Sequence, residues 1–304
     1  MVAGICYFLN ITQPSLLRQT YVAPEFMLGT LTFDPACNYT AIATQNNLMG
    51  AVFSASTADR LVFGGTGTIE SGKHGGYPLG TEFLSLSAVQ VGAAAVLQRP
   101  LHAAASNGSY VFISGALPHR GRPAPPGLGL LPSLRQTANG WWCFHDTNGW
   151  SNRSTNASYG CVRLVGNEAA TANTSVGSHD AADSRGGLLL LPRANMWSPI
   201  VVQLARAVEF PSFAAFIAAV SQLPLSYDPA SGHLRFTTLN GSAIETWAQS
   251  GRIPLVDGAP IRAPGGGGFA GPAYGGPNLR GGGSSGKVAI SHPAVGTATL
   301  DFRR

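Results

Sequence analysis

The chain has 304 residues, and only 11% of them are charged, against about 25% in an average soluble domain. Its 39 glycines and 21 prolines favour turn-rich β structure over a helical bundle. The net charge of +5 comes from single, scattered basic residues with no run longer than Arg303 and Arg304, which argues against nucleic acid as a partner.

The N-terminal half consists of short apolar runs separated by glycine, proline and asparagine, which is the spacing of strands and turns. Such runs follow Thr20, continue in FLSLSAVQV after Thr81, and include residues 110–113. The glycine cluster GGTG at 64–67 lacks the lysine of a phosphate-binding loop, and we interpret it as a turn. The proline-rich segment 118–132 is predicted to be a surface loop or a linker.

Two strands are predicted around a polar loop in GWWCFHDTNGWSNRSTNASYGCVRLVG, at residues 141–144 and 159–165. If these strands pair, Cys143 and Cys161 lie on neighbouring strands, where a disulfide is geometrically possible. The period of two predicts opposite faces for two sets of residues in the second strand. The first set is Gly160, Val162 and Leu164, and the second is Tyr159, Cys161 and Arg163. The polar segment 167–186 is predicted to be a loop.

The clearest sequence of elements lies at 187–223, where two strands are followed by one amphipathic helix. Residues 188–191 and 200–204 are short apolar runs typical of buried strands. Ser212 is the predicted N-cap of a helix over 213–220, and Pro224 closes the segment. The apolar face of that helix consists of Phe213, Phe216, Ile217 and Val220. We expect this helix to pack on a sheet.

After the helix, residues 234–239 predict a strand, with Asn240 and Gly241 as a hairpin turn. The glycine- and proline-rich tract 254–286 is predicted to be an extended surface loop, and one or two strands end the chain. The predicted fold is all-β: a large two-sheet, supersandwich-like β-sandwich with one short packing helix. Residues 1–224 form the main sandwich, and 225–304 form a C-terminal β extension that packs on it.

Asparagine sequons and cysteines point to a secretory pathway and an extracellular location. Seven N-x-S/T sequons are present, where chance would give roughly two, so the protein is predicted to be a glycoprotein. They are Asn10, Asn38, Asn107, Asn152, Asn156, Asn173 and Asn240. Four cysteines without a C-x-x-C spacing disfavour zinc and redox motifs and fit structural disulfides, although the pairing of Cys6 and Cys37 stays open. No convincing signal peptide or membrane span is found. A secreted composition without a leader predicts either a fragment or a gene model that lacks its N-terminal part.

No catalytic signature is found in the sequence, since G-x-S-x-G, H-E-x-x-H and a complete Walker loop are absent. The seven histidines are dispersed, and surface histidine is the default interpretation of each. The catalytic residues are therefore unknown, and no metal or cofactor is predicted.

One stretch keeps a binding role open, because aromatic faces beside polar groups suit a sugar ring. The predicted carbohydrate-binding residues are Trp141, Trp142, His145, Trp150 and Arg163, the last for a uronate or sulfate group. Strand alternation puts Trp141 and Trp142 on opposite faces, so at most one is exposed and the other is structural. The alternative is that glycans on Asn152 and Asn156 cover this loop and that Trp150 packs beneath them.

Several short motifs follow one another in a suggestive order: YVAPEFMLGT, QNNLMGAVFS, GWWCF, YGCVRLV, WSPIVVQL, an F-x-x-F helix, GHLRFTTLNGSAIE, DGAPI and LDF. From Tyr21 to Phe302 they resemble the β domain of heparinase II/III-like proteins. Those polysaccharide lyases and their relatives join an α/α toroid to a β-sandwich. The resemblance implies an upstream toroid domain and action on, or binding of, an acidic polysaccharide.

The sequence also departs from that family. The histidine-rich segment that the lyases carry at the start of the β domain would align near residues 45–49, which hold no histidine, so no catalytic residue is carried over. Two hypotheses therefore stand. One is the sandwich part of a polysaccharide lyase-like protein, and the other is a non-catalytic, extracellular carbohydrate-binding or structural glycoprotein whose partner is a glycan.

Overall fold

The computed structural model describes residues 17–32, 49–53, 56–67, 87–98, 106–114, 133–146, 157–166, 171–173, 187–191, 198–248, 250–261, 279–282, 287–292 and 296–301. Several predictions fall outside these ranges: the loop at 118–132, Trp150, the cysteines Cys6 and Cys37, and the sequons at Asn10, Asn38, Asn152 and Asn156.

Strands dominate the described residues, and one α-helix accompanies them. In chain order the strands are β1 (Leu17–Val22), β2 (Phe26–Thr32), β3 (Met49–Phe53), β4 (Ser56–Gly67), β5 (Ser87–Val91), β6 (Ala94–Gln98), β7 (Ser106–Ser114), β8 (Arg135–Gln136), β9 (Trp142–Asp146), β10 (Ser158–Leu164), β11 (Thr171–Asn173), β12 (Gly187–Leu191), β13 (Ile200–Arg206), β14 (Leu225–Asp228), β15 (His233–Thr237), β16 (Ala243–Trp247), β17 (Leu255–Val256), β18 (Ala259–Pro260), β19 (Leu279–Gly282), β20 (Lys287–His292) and β21 (Gly296–Asp301). The helix α1 spans Phe213–Ser221, and a 3-10 turn at Ala207–Glu209 precedes it.

The described strands form four antiparallel sheets. Sheet A has the order β1-β2-β3-β4-β7-β12-β11, and sheet B has the order β5-β6-β13-β10-β9-β8. Sheet C is the meander β14-β15-β16-β17-β18, and sheet D is the meander β19-β20-β21. Non-sequential neighbours such as β13 and β10 are typical of sandwiches, in which the chain crosses between sheets. The predicted all-β fold class is confirmed.

Sheets A and B face each other across the sandwich core. Sheet A contributes apolar residues such as Phe26, Leu61 and Phe63, and sheet B contributes Phe144 and Val162. All of these side chains are at most 2% exposed. Burial of such side chains is the main stabilising term of a sandwich, at about 1.5–3 kcal/mol for each large aliphatic or phenylalanine side chain.

A second apolar cluster covers the other face of sheet B and adds a third layer to the predicted two. It joins Trp141 and Val201 of that face to Phe216 of α1 and to Phe236 and Ile244 of sheet C. Strand β13 is buried at all positions before Arg206, because the sandwich core covers one of its faces and the second cluster covers the other. Its sequence IVVQLA, which is apolar except for the buried Gln203, is the pattern of a strand without a solvent-facing side.

The predicted helix is confirmed and lies at this second cluster. The Ser212 Oγ accepts a hydrogen bond from the Ala215 N–H at 3.1 Å, so Ser212 is the N-cap. Phe216 and Val220 are buried, while Phe213 and Ile217 pack on the cluster half-buried. At the other end, Asn139 Nδ2 donates to the Ser221 carbonyl at 2.9 Å, which satisfies one free carbonyl of the last turn.

Strands form in parts of three segments that the composition predicted to be turns or loops. The GGTG segment at 64–67, interpreted as a turn, instead lies in β4 and pairs with β7. The tract 254–286 contains β17, β18 and β19, and the segment 167–186 contains β11. Strand formation depends on a partner strand more than on intrinsic preference, so glycine-rich segments extend where a neighbouring edge supplies hydrogen bonds.

Two buried polar contacts join sheet A to sheet B. At one place, the Thr30 hydroxyl of β2 donates to Gln90 Oε1 of β5 at 2.6 Å, and Gln90 Nε2 donates to the Leu28 carbonyl at 3.2 Å. At the other, Glu25 accepts two hydrogen bonds from Arg206, from Nε at 2.8 Å and from Nη2 at 2.9 Å. Glu25 is 1% exposed, and the guanidinium of Arg206 is the charged partner that its carboxylate contacts.

Candidate functional site

The predicted disulfide is confirmed, and it joins the two strands that carry most of the predicted carbohydrate-binding residues. Cys143 of β9 and Cys161 of β10 are direct partners across the antiparallel pair, with their Cα atoms 4.0 Å apart and a bond between their sulfurs. Both cysteines are fully buried in the second cluster. The bridge therefore fixes the register of β9 against β10.

The two adjacent tryptophans face opposite sides of sheet B, as the alternation predicted. Trp141 is 1% exposed, and its ring lies 6.1 Å from the ring of Phe236 in the second cluster. Trp142 is half-buried and packs against the sandwich core. Trp141 is therefore a structural residue.

His145 lies among aromatic rings beside the helix. Its ring is 4.8 Å from that of Tyr159 in an edge-to-face arrangement and 5.7 Å from that of Phe213. Burial lowers the pKa of His145, because the charged imidazolium would lose hydration. Burial likewise raises the pKa of the Tyr159 phenol. Although both groups are of the acid–base type, Tyr159 is only 6% exposed and His145 is half-buried, so both rings belong to the packing beside the helix.

The five predicted carbohydrate-binding residues do not form one surface among the described residues. Trp141, His145 and the half-buried Arg163 lie on the same face of sheet B as the second cluster. Trp142 lies on the opposite face, and Trp150 is outside the described ranges. Within those ranges there is also no group of three or more metal-ligating side chains, and no helix has the length and apolar character needed to cross a bilayer.

A second candidate surface, which the sequence analysis missed, lies on the outward side of sheet C. We call it the Trp247 face. It consists of His233, Arg235, Glu245, Trp247 and Arg252. The first two residues come from β15, the next two from β16, and Arg252 from the segment that follows. The intervening strand residues Leu234, Phe236 and Ile244 are fully buried in the second cluster.

Ring stacking, an ion pair between Glu245 and Arg235 and a contact between Glu245 and His233 order the Trp247 face. The imidazole of His233 stacks on the indole of Trp247, with 5.0 Å between centroids and 10° between the planes. The Cζ atom of Arg252 lies over the same indole, 5.6 Å from its centroid. Glu245 approaches His233 Nε2 at 3.5 Å and Arg235 Nε at 3.7 Å, so one carboxylate serves two neighbours.

Hydrogen bonds of serine and aspartate side chains hold the two ends of this face. The Ser250 hydroxyl donates to the Trp247 carbonyl at 3.4 Å and accepts from the Arg252 N–H at 3.2 Å. On the other side, Asp228 accepts from the Ser231 hydroxyl and from the Ala230 N–H in the turn that leads to His233. The Ser231 hydrogen bond is the main reason that the pKa of Asp228 lies below its usual value. The Asp228 carboxylate therefore makes its hydrogen bonds within this turn.

A signal for this surface was present in the sequence. In HLRFT, polar and apolar residues alternate at a period of two, which predicts an outward-facing set in that strand. AIETW shows this pattern less clearly, because Ala243 lies at an outward position and the polar Thr246 at a buried one. What the sequence did not contain was the register, which places His233 directly opposite Trp247 and Arg235 opposite Glu245.

Comparison with known proteins found no matching family model, no matching curated protein and no matching solved structure. The resemblance to heparinase II/III-like proteins therefore stays a prediction.

Proposed function

We propose that this chain is a secreted, non-catalytic carbohydrate-binding module, and that the sugar binds at the Trp247 face. The observation that carries the proposal is the Trp247 indole, which lies among charged hydrogen-bonding groups on the outward side of sheet C. Sugar rings present apolar C–H groups on their faces and hydroxyls at their edges. An indole contacts the C–H groups of the sugar, and arginine and glutamate side chains hydrogen-bond to its hydroxyls.

The Trp247 face is pre-organised for such a contact. His233 supports one face of the indole, and Glu245 lies between His233 and Arg235. Side chains that are already ordered lose little conformational freedom when a ligand binds, so more of the interaction energy appears as affinity.

The secretory part of the proposal is supported by the disulfide and by the sequons. A bond between Cys143 and Cys161 is typical of proteins from oxidising compartments. Of the sequons, Asn240 is exposed in the turn between β15 and β16, while Asn107 lies within β7 and Asn173 ends β11. The non-catalytic part is supported by the burial of Tyr159, which is 6% exposed, and by the packing of its ring on those of His145 and Phe213.

The experiment is a calorimetric titration of the purified protein, secreted from a eukaryotic host, with neutral and acidic oligosaccharides. Trp247→Ala is expected to lose at least about fivefold in affinity, because it removes a stacking surface whose loss costs about 1–3 kcal/mol at aromatic contacts of this type. Trp142→Phe is the matched control and is expected to bind like the wild type, since Trp142 lies on another sheet face.

Equal binding by the wild type and Trp247→Ala would contradict the site, and loss of binding in Trp150→Ala alone would favour the patch predicted from the sequence. The intact mass of the same secreted sample, before and after glycosidase treatment, tests the secretory part. A mass that glycosidase leaves unchanged would argue against it.

A further inference from the structure

We infer that Arg252 makes the Trp247 face selective for anionic sugars, an inference that rests on the proposed carbohydrate binding. In the free protein the Arg252 guanidinium lies over the indole of Trp247. When a sugar binds, its ring takes that place over the indole, and the guanidinium moves to pair with a carboxylate or sulfate group of the same ligand.

The charge balance of the Trp247 face distinguishes Arg252 from the other described arginines with acidic neighbours. Among the described residues, Arg206 is bonded to Glu25 and Arg235 lies next to Glu245, while no described carboxylate forms a salt bridge with Arg252. The Asp228 carboxylate accepts hydrogen bonds within its own turn. Arg252 is therefore the cation of this face whose charge no described carboxylate compensates.

Arg252 is anchored through its backbone. The Ser250 hydroxyl links the Arg252 N–H to the Trp247 carbonyl, so the backbone of Arg252 stays beside the indole. Its side chain is exposed and is held by the cation–π contact. A long side chain on a fixed backbone can leave the ring without any change in the fold.

The Arg252 guanidinium can make two kinds of contact, a cation–π contact with the indole or hydrogen bonds to an anionic group of the ligand. A cation–π contact at an exposed site is weaker than a pair of charge-assisted hydrogen bonds to a planar anion. When the ligand carries an anionic group, the guanidinium exchanges its cation–π contact for these stronger hydrogen bonds, which is favourable. When the ligand is neutral, the cation–π contact is lost and no charge-assisted hydrogen bond replaces it. The Glu245 carboxylate repels an anion near Arg235, so the anion is directed to the Arg252 end of the face.

The test compares three oligosaccharide probes: an uncharged dextran oligomer, a sulfated dextran oligomer of the same length, and an oligogalacturonate. Their dissociation constants are measured by calorimetry for the wild-type chain, Arg252→Gln and Arg252→Lys. Arg252→Gln is expected to weaken binding of at least one anionic probe about tenfold and to leave or improve binding of the neutral probe. Arg252→Lys keeps the charge but not the planar guanidinium, so its affinity for the anionic probes is expected to lie between those of the wild type and Arg252→Gln.

Arg135→Gln is the matched control, since Arg135 is an exposed arginine of β8 and its replacement changes the net charge equally. It is expected to leave all three affinities near wild type. The two anionic probes then distinguish a sulfate from a carboxylate as the group that Arg252 binds.

The inference and the proposed function fail in different ways. If the probes bind and depend on Trp247 but Arg252→Gln changes neutral and anionic affinities equally or not at all, the inference is overturned and carbohydrate binding stands. If no probe binds to the wild type, or if binding is indifferent to Trp247→Ala, the proposed function fails and the inference fails with it.

Discussion

At the scale of single residues, burial decides the chemistry of His145. Its imidazole packs against the rings of Tyr159 and Phe213, and its backbone N–H donates to the Ser133 hydroxyl at 2.7 Å. An aromatic environment of this kind favours the neutral imidazole over the imidazolium. A histidine that stands out in the sequence as a hydrogen-bonding group beside tryptophans is therefore part of the packing in the folded protein.

The lowered pKa of His145 predicts a loss of stability in acid. Its folded pKa lies below the ordinary value of 6.5, so below that value the unfolded chain binds more protons than the folded one. Its contribution to the free energy of unfolding is complete above the ordinary pKa and is lost as the pH falls toward the folded pKa. His145→Phe, which keeps a ring but cannot titrate, is expected to reduce the loss of stability between about pH 7.5 and about pH 5.

The measurement is urea unfolding at several pH values in that window. Tyr159→Phe is the control and is expected to keep the wild-type pH dependence, because the raised pKa of Tyr159 lies far above the window. Parallel curves for the wild type and His145→Phe would show that His145 does not carry the effect.

At the scale of elements, α1 depends on its cap and on its apolar stripe. The helix has only nine residues, and short helices are marginal without tertiary contacts. The stripe from Phe213 to Val220 supplies those contacts by packing on the second cluster. The Ser212 hydroxyl satisfies one of the free N–H groups at the start of the helix.

Ser212→Ala is expected to lower the free energy of unfolding by about 1 kcal/mol, because the Ala215 N–H then loses its acceptor. Ser212→Asp is the matched control and is expected to retain most of the stability, since aspartate is also a good N-cap. Thermal and urea unfolding give the two differences. Equal losses in both variants would mean that the position tolerates no change of side chain, whatever its capping ability.

At the scale of the whole molecule, three layers share one middle sheet. Sheet B has the sandwich core on one face and the second cluster on the other, so α1 and sheet C complete its burial. The contacts of Glu25 with Arg206 and of Thr30 with Gln90 bind sheet A to the same sheet. Layers that share buried side chains in this way are expected to unfold together.

Phe236→Ala is expected to destabilise the whole chain by about 3–5 kcal/mol, because it leaves a cavity beside Trp141 at a fully buried position. Arg235→Ala changes the neighbouring, outward-facing residue and is expected to alter stability by no more than about 0.5 kcal/mol. Urea unfolding followed by tryptophan fluorescence and by far-UV circular dichroism measures both. Two separate transitions in the wild type would show that sheet C unfolds on its own.

The sequence by itself determined the features that depend on local pattern. The period of two placed Trp141 and Trp142 on opposite faces, a serine followed by an apolar stripe gave the capped helix, and adjacent strands brought Cys143 to Cys161. These features hold because neighbouring residues and short-range pairing fix them. The sequence could not show that residues 64–67 would form part of a strand, because their partner strand β7 lies some forty residues further along the chain.

The tertiary structure alone decided which aromatic residues meet. It enclosed Trp141 between sheet B and the layer beyond it, and it packed the ring of His145 against Phe213 of the helix. It also stacked His233 on Trp247 at the outward side of sheet C. Both results depend on register and on the packing of layers that are distant in sequence. The face that a residue occupies follows from its strand, but exposure of that face depends on what the rest of the chain lays over it.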